Sequence, residues 1–402
     1  MNQLDEKFQK LGVDNAPGQE VRRKDDACGL RGEKIAGRAV DFSHGDVDAH
    51  EPIPGSRELF DEAYRMGGCQ AYTEYRGSLN IREYLAAKVS AFTGKKVDAE
   101  NLIIAPGTQG ALFLAMGSLV GRGDKVAIVE PDYFANRKIV EFFDGVLSPV
   151  TMDYLNVRDR AGLDLTSLEK SFKDGAKVFL FSNPNNPTGV IYSADEIKEI
   201  ARLAQQYHVT VIADQLYSRQ IFDGRRYTHL CNENIDSENI VTVMGPSKTE
   251  SLSGFRLGIA FGAPRIISRM EKLQAIVSLR AAGYNQAVAK NWFSEPDGWM
   301  EKRVYDHQEI RDALLKKLAA IPGIEARPTE GGSYLFVKLP PLEVSIGEFV
   351  KALRLLADVT VTPGTEFGPQ FTDSFRINFS QDKKAACDAI ERIGAVAERY
   401  RK

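Results

Sequence analysis

Short apolar runs alternate with amphipathic stretches between about residue 55 and residue 300. Turn residues bound each run, which is the pattern of buried strands. The predicted strands are Leu102–Ala105, Lys125–Val129, Lys177–Phe181, Thr210–Ala213, Ile240–Met244 and Leu257–Phe261. Helical patterns such as Ala111–Val120 and Ala194–Tyr207 separate several of them. Because continuously apolar strands need cover on both faces, this alternation predicts a mostly parallel sheet between layers of helices.

The chain changes character at both ends. Residues 1 to about 40 are polar and contain Gly29, Gly32 and Gly37, so we expect an arm, followed by a short strand at Arg38–Phe42. After helices at Ile267–Leu279 and Tyr284–Phe293, the last hundred residues predict an α+β module. Its elements are the helix Trp299–Ile321, the strands Tyr334–Lys338, Val359–Thr362 and Ser374–Phe379, and helices that begin at Ile346 and Lys383. The expected domains are residues 1–50 (arm and part of a small domain), 51–298 (large domain) and 299–402 (small domain).

Composition narrows the class of protein. The chain has 402 residues, of which 43% are hydrophobic and 27% charged, so we expect a globular protein with two domains. A net charge of −3 argues against a nucleic-acid partner, which would need clustered Lys and Arg. No apolar stretch approaches the roughly 20 residues that cross a membrane, and the first residues contain no apolar signal core. Cys28, Cys69, Cys231 and Cys387 have no metal-type spacing and predict reduced thiols in a cytoplasmic protein.

The segments that follow five predicted strands carry polar, aromatic or glycine-rich residues. They are Pro106–Gly110, Glu130–Tyr133, Ser182–Gly189, Asp214–Tyr217 and Gly245–Lys248. Ligands of open parallel sheets bind beyond the carboxyl ends of the strands. Five such ends at one edge therefore predict a binding site.

Two of these segments suggest chemistry. Pro106–Gly110 opens a helix whose free N–H groups suit a phosphate, although a plain strand-to-helix turn is the alternative. There is no GxxxxGK[ST] motif, so a nucleoside triphosphate is not indicated. Lys248 ends a buried strand, where a partly desolvated amine becomes a nucleophile for carbonyl groups; a solvated charge is the alternative. Arg256 follows in Gly254–Gly258, whose two glycines would allow close backbone approach, and could fork onto phosphate oxygens.

The ordered set of motifs resembles the class I and II aminotransferases, which have fold type I of the pyridoxal-phosphate enzymes. The motifs are SKTESLSGFRLG at 247–258, NPTG at 186–189, DQLY at 214–217, FRIN at 375–378, PGTEFG at 363–368 and GSY at 332–334. The resemblance runs from about residue 40 to the C-terminus, with the motifs in the family's order and spacing. The resemblance implies an α/β fold: a large, cofactor-binding domain with a mostly parallel, seven-stranded-type sheet between helices, and a smaller α+β domain.

The resemblance also implies an aminotransferase that moves an amino group between an L-amino acid and a 2-oxo acid. Lys248 would hold pyridoxal 5'-phosphate as a Schiff base and later move the proton as acid and base. Asp214 would pair with the pyridine nitrogen and keep it protonated, so that the ring withdraws electrons. Tyr217 and Asn186 would bond to the phenolic oxygen of the cofactor. The candidate catalytic residues are therefore Lys248, Asp214 and Tyr217.

Further cofactor contacts follow from the same resemblance. Tyr133 would stack on the ring, with a core aromatic as the alternative. Tyr72 would reach the phosphate from the neighbouring subunit, so the resemblance implies a homodimer with shared active sites; Tyr75 could compete for this role. The expected phosphate-binding residues of the chain itself are Gly107, Thr108, Gln109, Ser247 and Arg256.

Substrate binding is expected at Arg376, which would fork onto the α-carboxylate, with Asn186 beside it. The alternative for Arg376 is a salt bridge to a surface acid. Ser43–Asp46 occupies the place of the family's small-residue loop next to the substrate. Gly45 and His44 would therefore face the substrate, and His44 could carry a proton near neutral pH. A loop histidine satisfied by the backbone is the alternative for His44.

Two more positions depart from the family. Gly245 replaces a phosphate-binding serine, so Ser247 or Thr249 would complete the phosphate site. Glu250 stands where many relatives have an aromatic or apolar residue, and is either a solvated charge or the partner of a basic group.

These departures keep a second reaction open, a lyase or cyclase that eliminates or replaces a group at Cβ or Cγ with the same Lys248. A non-catalytic effector domain of a transcription regulator would need a basic winged helix, for which residues 1–40 are too short. The substrate stays open as well. Cations that could recognise an acidic side chain are Arg22, Arg23 and Arg280, and acids that could recognise a basic one are Asp46, Glu74 and Glu250.

Overall fold

The computed structural model describes residues 2–12, 29–44 and 49–402 of the chain. Its helices are α1 (Gln3–Leu11), α2 (Ser56–Arg65), α3 (Gly68–Ala71), α4 (Leu79–Thr93), α5 (Gly107–Leu119), α6 (Phe134–Phe142), α7 (Leu165–Lys173), α8 (Ala194–Tyr207), α9 (Pro264–Val277), α10 (Gly283–Val288), α11 (Trp299–Leu318), α12 (Ile346–Ala357) and α13 (Lys383–Arg399). Its strands are β1 (Val40–Asp41), β2 (Leu102–Pro106), β3 (Lys125–Glu130), β4 (Val146–Thr151), β5 (Ala176–Ser182), β6 (Thr210–Asp214), β7 (Ile240–Met244), β8 (Leu257–Gly262), β9 (Tyr334–Lys338), β10 (Val359–Thr360), β11 (Thr362–Pro363) and β12 (Ser374–Asn378).

The large sheet has seven strands in the order β2-β8-β7-β6-β5-β3-β4. Its strands are parallel except for β8, which runs antiparallel to both of its neighbours. A second sheet, β11-β12-β9, is antiparallel, and β1 pairs with β10 in parallel. The prediction of a mostly parallel sheet between helices with a smaller α+β part is confirmed.

Hydrophobic packing explains why the large sheet is covered on both faces. Along β2, Leu102 and Ile104 belong to one buried cluster, whereas Ile103 and Ala105 belong to another. Side chains of a strand point alternately to its two faces, so each face of the sheet has its own core. A third cluster joins Val40 and Phe42 to the C-terminal helices and strands.

Several elements differ from the predictions. The expected arm contains α1, which begins with a capping box at Asn2. Lys7 of this helix lies 4.8 Å from the centre of the Phe142 ring. The predicted strand Val359–Thr362 divides into β10 and β11, which belong to different sheets. The edge strand β4 was not predicted, because it is half exposed and contains Pro149.

Helix α5 begins at Gly107, four residues before the predicted start. The Pro106–Gly110 segment is therefore the first turn of the helix rather than a loop in front of it. In the described ranges, none of the helices has the length and apolar character needed to span a membrane.

Candidate active site

A cavity of about 240 Å³ lies at the carboxyl ends of the large sheet's strands. The structure brings most of the predicted site residues to its wall. They are His44, Thr108, Gln109, Tyr133, Asn186, Asp214, Tyr217, Ser247, Lys248, Arg256 and Arg376. Gly107 packs directly behind Arg256, Tyr72 lies elsewhere on the surface, and Gly45 lies outside the described residues.

Asp214 and Lys248 approach the cavity from adjacent parallel strands. Asp214 is the last residue of β6 and is paired in register with Val243 of β7, and β7 ends four residues before Lys248. The Asp214 Oδ1 accepts a hydrogen bond of 3.1 Å from the backbone N–H of Leu216. Burial raises the pKa of Asp214 to about 6 from its ordinary 3.8. A cation facing this carboxylate would stabilise its charged form.

The end of the cavity where a phosphate is expected is formed by very close backbone packing. A Cβ atom on Gly258 would lie 2.3 Å from the backbone nitrogen of Thr108, and one on Gly107 would lie 2.5 Å from Arg256 Nη2. A Cβ on Gly245 would lie 2.8 Å from Thr108 Cγ2, which explains why glycine stands there in place of serine. Ser247 lines the cavity instead.

Two expectations about this end of the cavity need correction or remain without support. Gly254 was expected to allow close backbone approach, but no heavy atom of the described chain lies within 4 Å of its Cβ position, so that interpretation is wrong. Thr249 is buried and is absent from the cavity wall formed by the described residues, so Ser247 is the better candidate for the phosphate site.

Asn186 is held by residues to which sequence analysis gave no role. The Ser182 hydroxyl donates to Asp132 Oδ1 at 2.7 Å, and the backbone N–H of Asn186 donates to Ser182 Oγ at 3.1 Å. Burial raises the pKa of Asp132 to about 7, while its bonds from Ser182 oppose that rise. Both residues follow predicted strands, which was the signal that could have identified them.

Arg376 extends from β12 of the small sheet to the same cavity. Its Nη1 donates to Asn186 Oδ1 at 2.9 Å, and its Nη2 donates to the Ser43 carbonyl. The guanidinium lies 4.4 Å from the centre of the Tyr334 ring. Its Nε atom is buried and has no hydrogen-bond partner among the described residues. Arg376 therefore retains donor capacity for an anion, which disfavours the surface salt bridge.

Tyr334 is a cavity residue for which the sequence gave a landmark but no role. Its hydroxyl lies 2.6 Å from that of Tyr217. Burial, followed by the charge interaction with Tyr334, holds the pKa of Tyr217 well above its ordinary value. Tyr217 therefore stays neutral at physiological pH and can act as a hydrogen-bond donor.

His44 lies at the rim of the cavity, with 60% of its side chain exposed. Its Nδ1 is 3.1 Å from Ser43 Oγ and 3.6 Å from Asp41 Oδ2. These contacts are to side chains, not to the backbone as the alternative for His44 assumed.

Tyr72 is 74% exposed and is separate from the cavity wall that the described residues form. The Arg280 guanidinium lies 3.9 Å from the centre of its ring and 5.0 Å from that of Tyr75. Arg280 also donates to the Thr73 carbonyl, so this part of the chain is tied to the end of α9.

Glu250 is a buried partner of Arg219, so the solvated-charge interpretation is wrong. Of the other charges considered for the substrate side chain, Glu74 is exposed, and Arg22, Arg23 and Asp46 lie outside the described residues.

Comparisons with known proteins agree with the site. A family model described as aminotransferase class I and II matches residues 39–393. The aspartate aminotransferase of Sulfolobus acidocaldarius is 28% identical over 369 residues, which cover 89% of each chain. The crystal structure of an aspartate aminotransferase from Rhodobacter sphaeroides 2.4.1 is 61% identical with a TM-score of 0.94, and covers 99% of this chain and 100% of that one. The Thermus thermophilus aspartate aminotransferase with maleate has a TM-score of 0.84 at 23% identity over 98% of this chain and 100% of that one, a likeness of fold alone.

Proposed function

The chain belongs to the class I and II aminotransferase family and is an enzyme of amino-group transfer, and from this premise we propose that Lys248 holds its pyridoxal 5'-phosphate. The family as a whole depends on this cofactor. One observation carries the proposal: a single cavity collects Lys248, Asp214, Arg256 and Arg376. The amine can condense with an aldehyde, and the buried acid can pair with a pyridine nitrogen. The two guanidinium groups can bind a phosphate and a carboxylate.

The residues present fit the cofactor. Asp214 is a buried carboxylate with a raised pKa, which a protonated pyridine nitrogen would stabilise. The first turn of α5, Arg256 and Ser247 would hold the phosphate, where Gly107, Gly245 and Gly258 leave no room for further side chains. Tyr133 lines the cavity, where it would stack on the cofactor ring.

When bound, pyridoxal 5'-phosphate supplies an aldehyde that condenses with amines and a ring that withdraws electrons from the substrate's Cα. The Lys248 amine would take the proton from Cα of the substrate and deliver it to the former aldehyde carbon of the cofactor. Asp214 would keep a proton on the pyridine nitrogen. Tyr217 would donate a hydrogen bond to the phenolic oxygen, and the Asn186 amide would donate another to the same atom.

Arg376 would hold the α-carboxylate of the amino acid and of the 2-oxo acid. Its unpartnered Nε and its contact with Asn186 support this role, because a guanidinium binds a carboxylate through two parallel hydrogen bonds. His44 would lie beside the substrate at the cavity rim, together with Gly45. Family membership favours transfer over elimination or replacement at Cβ or Cγ.

The working unit that we propose is a homodimer in which Tyr72 contacts the cofactor phosphate of the partner subunit. Large exposed apolar side chains at 64–79 and 276–279 support this, because such patches mark interfaces and the contacts of Arg280 with Tyr72 and Thr73 bring the two segments together. They are Tyr64, Met66, Tyr75, Leu79, Ile276, Val277 and Leu279. The domain limits at residues 50 and 298 remain a prediction.

Aspartate is the first amino donor to test, because the similar proteins are named aspartate aminotransferases. Arg280 stacks on Tyr72 and would approach the partner's cavity with it, which would suit an acidic side chain. Spectral screening of acidic, neutral and basic amino acids checks this. A loss of the holoenzyme's visible band with aspartate and 2-oxo acid formation support the proposal. A band that persists while ammonia or a side-chain fragment leaves would show a lyase instead.

Lys248→Ala tests the central assignment. We expect it to lose the visible absorbance of the bound cofactor and to reduce the transfer rate by about 10²–10⁴-fold, because the acid and base are gone. Borohydride reduction of the wild-type holoenzyme, followed by peptide mapping, should place the cofactor on Lys248. A label on another lysine, or full turnover by the variant, would contradict the proposal.

A further inference from the structure

Glu250 stands two residues after Lys248 and is only 1% exposed. Its Oε1 accepts a hydrogen bond of 2.6 Å from Arg219 Nη1. Arg219 Nη2 donates to Glu295 as well, so one guanidinium holds two acids. The three side chains are named the Arg219 cluster below. Each is mostly withdrawn from solvent, with exposed fractions of 9%, 1% and 16% for Arg219, Glu250 and Glu295.

The Arg219 cluster connects two catalytic segments. Arg219 follows Asp214 by five residues, in the segment that also carries Tyr217. Glu250 belongs to the turn that follows Lys248. In this turn the Lys248 carbonyl accepts a hydrogen bond of 3.1 Å from the backbone N–H of Ser251. The ion pair therefore joins the segment that presents Asp214 to the turn that presents Lys248.

Neighbouring contacts fix the same turn from its other side. The Glu250 carbonyl accepts from the Ile53 N–H at 3.0 Å. Arg303 Nη1 donates to Ser251 Oγ at 2.7 Å, and its Nη2 donates to the Glu51 carbonyl at 2.6 Å. Arg219 also lies 4.2 Å from the centre of the Phe293 ring, which restricts its rotation. Two consecutive residues of the turn are thus bound to three other parts of the chain.

Stability alone does not account for this arrangement. Withdrawing charged groups from water is unfavourable, and apolar residues of similar volume often serve stability as well or better. A forked guanidinium between fixed carboxylates does give a defined geometry. Chemistry at a lysine depends on such geometry, because a displacement of 1 Å can reduce a rate by about 10²-fold.

We propose that Arg219, Glu250 and Glu295 are positioning residues that set the placement of Lys248 relative to Asp214. The proposal rests on the function assigned to Lys248 above. None of its three side chains lines the cavity that the described residues form, so the cluster acts through the two segments that it joins. A single ammonium group cannot hold two carboxylates in a fork, and an amide cannot supply the charge, so conservative substitutions should disturb it.

Glu250→Gln and Arg219→Lys test the proposal in the holoenzyme. For each variant we expect kcat to fall about tenfold with KM nearly unchanged, because the substrate contacts at Arg376 are intact. Cofactor release should be faster, and the visible circular dichroism of the bound cofactor should change. Glu295→Gln, which leaves the Arg219–Glu250 pair in place, should give a smaller effect in the same direction and carries the test if a buried variant fails to fold.

Glu196→Gln is the matched control. Glu196, at the start of α8, is also a buried carboxylate, but it accepts hydrogen bonds from the backbone N–H groups of Ala161 and Gly162. This variant should lower the melting temperature and leave kcat and the dichroism unchanged. The double variant Arg219→Lys/Glu250→Gln should be about as impaired as the worse single variant, because both changes remove one interaction.

Melting temperatures that fall while kcat, cofactor release and dichroism keep their wild-type values would overturn the positioning role. So would fully additive effects of the two substitutions. Failure of the function itself is separate: it would appear in the wild-type protein as borohydride label away from Lys248.

Discussion

Asp214 shows how one buried side chain couples cofactor binding to stability. Burial raises the pKa of its carboxyl group to about 6 from 3.8. A carboxyl group with a raised pKa favours folding fully below pH 3.8, and that advantage is lost as the pH rises through about 6. Above this range the cofactor-free protein carries a buried negative charge, which a bound pyridinium would neutralise.

Asp214→Asn should therefore stabilise the cofactor-free protein while abolishing transfer. A shift of about two pKa units corresponds to at most about 3 kcal/mol. The gain in unfolding free energy should be larger at pH 7.5 than at pH 5, as denaturant titrations can measure. Asp124→Asn is the control of opposite sign, because the hydrogen bond from Lys177 lowers the pKa of Asp124 and removal of its charge should weaken folding near neutrality. Equal stability of Asp214→Asn and wild type at both pH values would refute this account.

Residues such as Lys248 and Asp214 were predictable because they come directly after apolar runs at one edge of the sheet. Tyr334 was not, because its bond to Tyr217 joins residues 117 positions apart. The role of Glu250 was open for the same reason: its partner Arg219 belongs to another segment. Sequence position indicates which residues reach the cavity edge, whereas their mutual contacts depend on the three-dimensional path of the loops.

Among the secondary-structure elements, the direction of β8 matters most for the proposed phosphate site. Because β8 runs antiparallel between β2 and β7, its first residues lie beside the start of α5. An apolar run does not indicate whether its strand is parallel or antiparallel to its neighbours, so the sequence predicted the strand but not its orientation in the sheet. Of the small-domain strands, β9 matches its expected range and β12 ends one residue before it, whereas the expected strand Val359–Thr362 is divided between β10 and β11.

Gly258→Ala tests this contact between β8 and α5. The new methyl group would lie 2.3 Å from the Thr108 nitrogen and 2.4 Å from the Gly107 carbonyl carbon, both backbone atoms that cannot rotate away. Overpacking of this kind costs about 1–3 kcal/mol, so we expect weaker cofactor binding and a lower melting temperature. Gly254→Ala, in the same segment but in open space, should leave both unchanged. Equal cofactor affinity of the two variants in fluorescence titrations would contradict the packing argument.

For the whole molecule, the fold class followed from the sequence, whereas the homodimer was implied only by the family resemblance. The alternation of apolar runs with helices predicted the mostly parallel sheet, and the last hundred residues predicted the smaller α+β part. The apolar residues around Tyr72 are scattered along two distant segments, and only folding gathers them near Arg280. Their role in a homodimer remains a prediction.

Mixing two impaired variants tests the shared site. Lys248→Ala chains keep Tyr72, and Tyr72→Ala chains keep Lys248. If each site uses both subunits, mixed dimers contain one complete site and one that lacks both residues. Refolding the two variants together should restore about a quarter of wild-type activity, because half of the dimers are mixed and each has one intact site of two. Activity no higher than the average of the separate variants would show that Tyr72 serves its own subunit or none.

Arg376 and Lys248 project from different sheets, β12 of the small one and the end of β7 of the large one. A ligand that binds both Lys248 and Arg376 links two parts of the chain that have separate hydrophobic cores. A carboxylate without an amine would bind Arg376 alone. We therefore expect the complete amino acid to restrict the relative movement of the two sheets more than a carboxylate without an amine does.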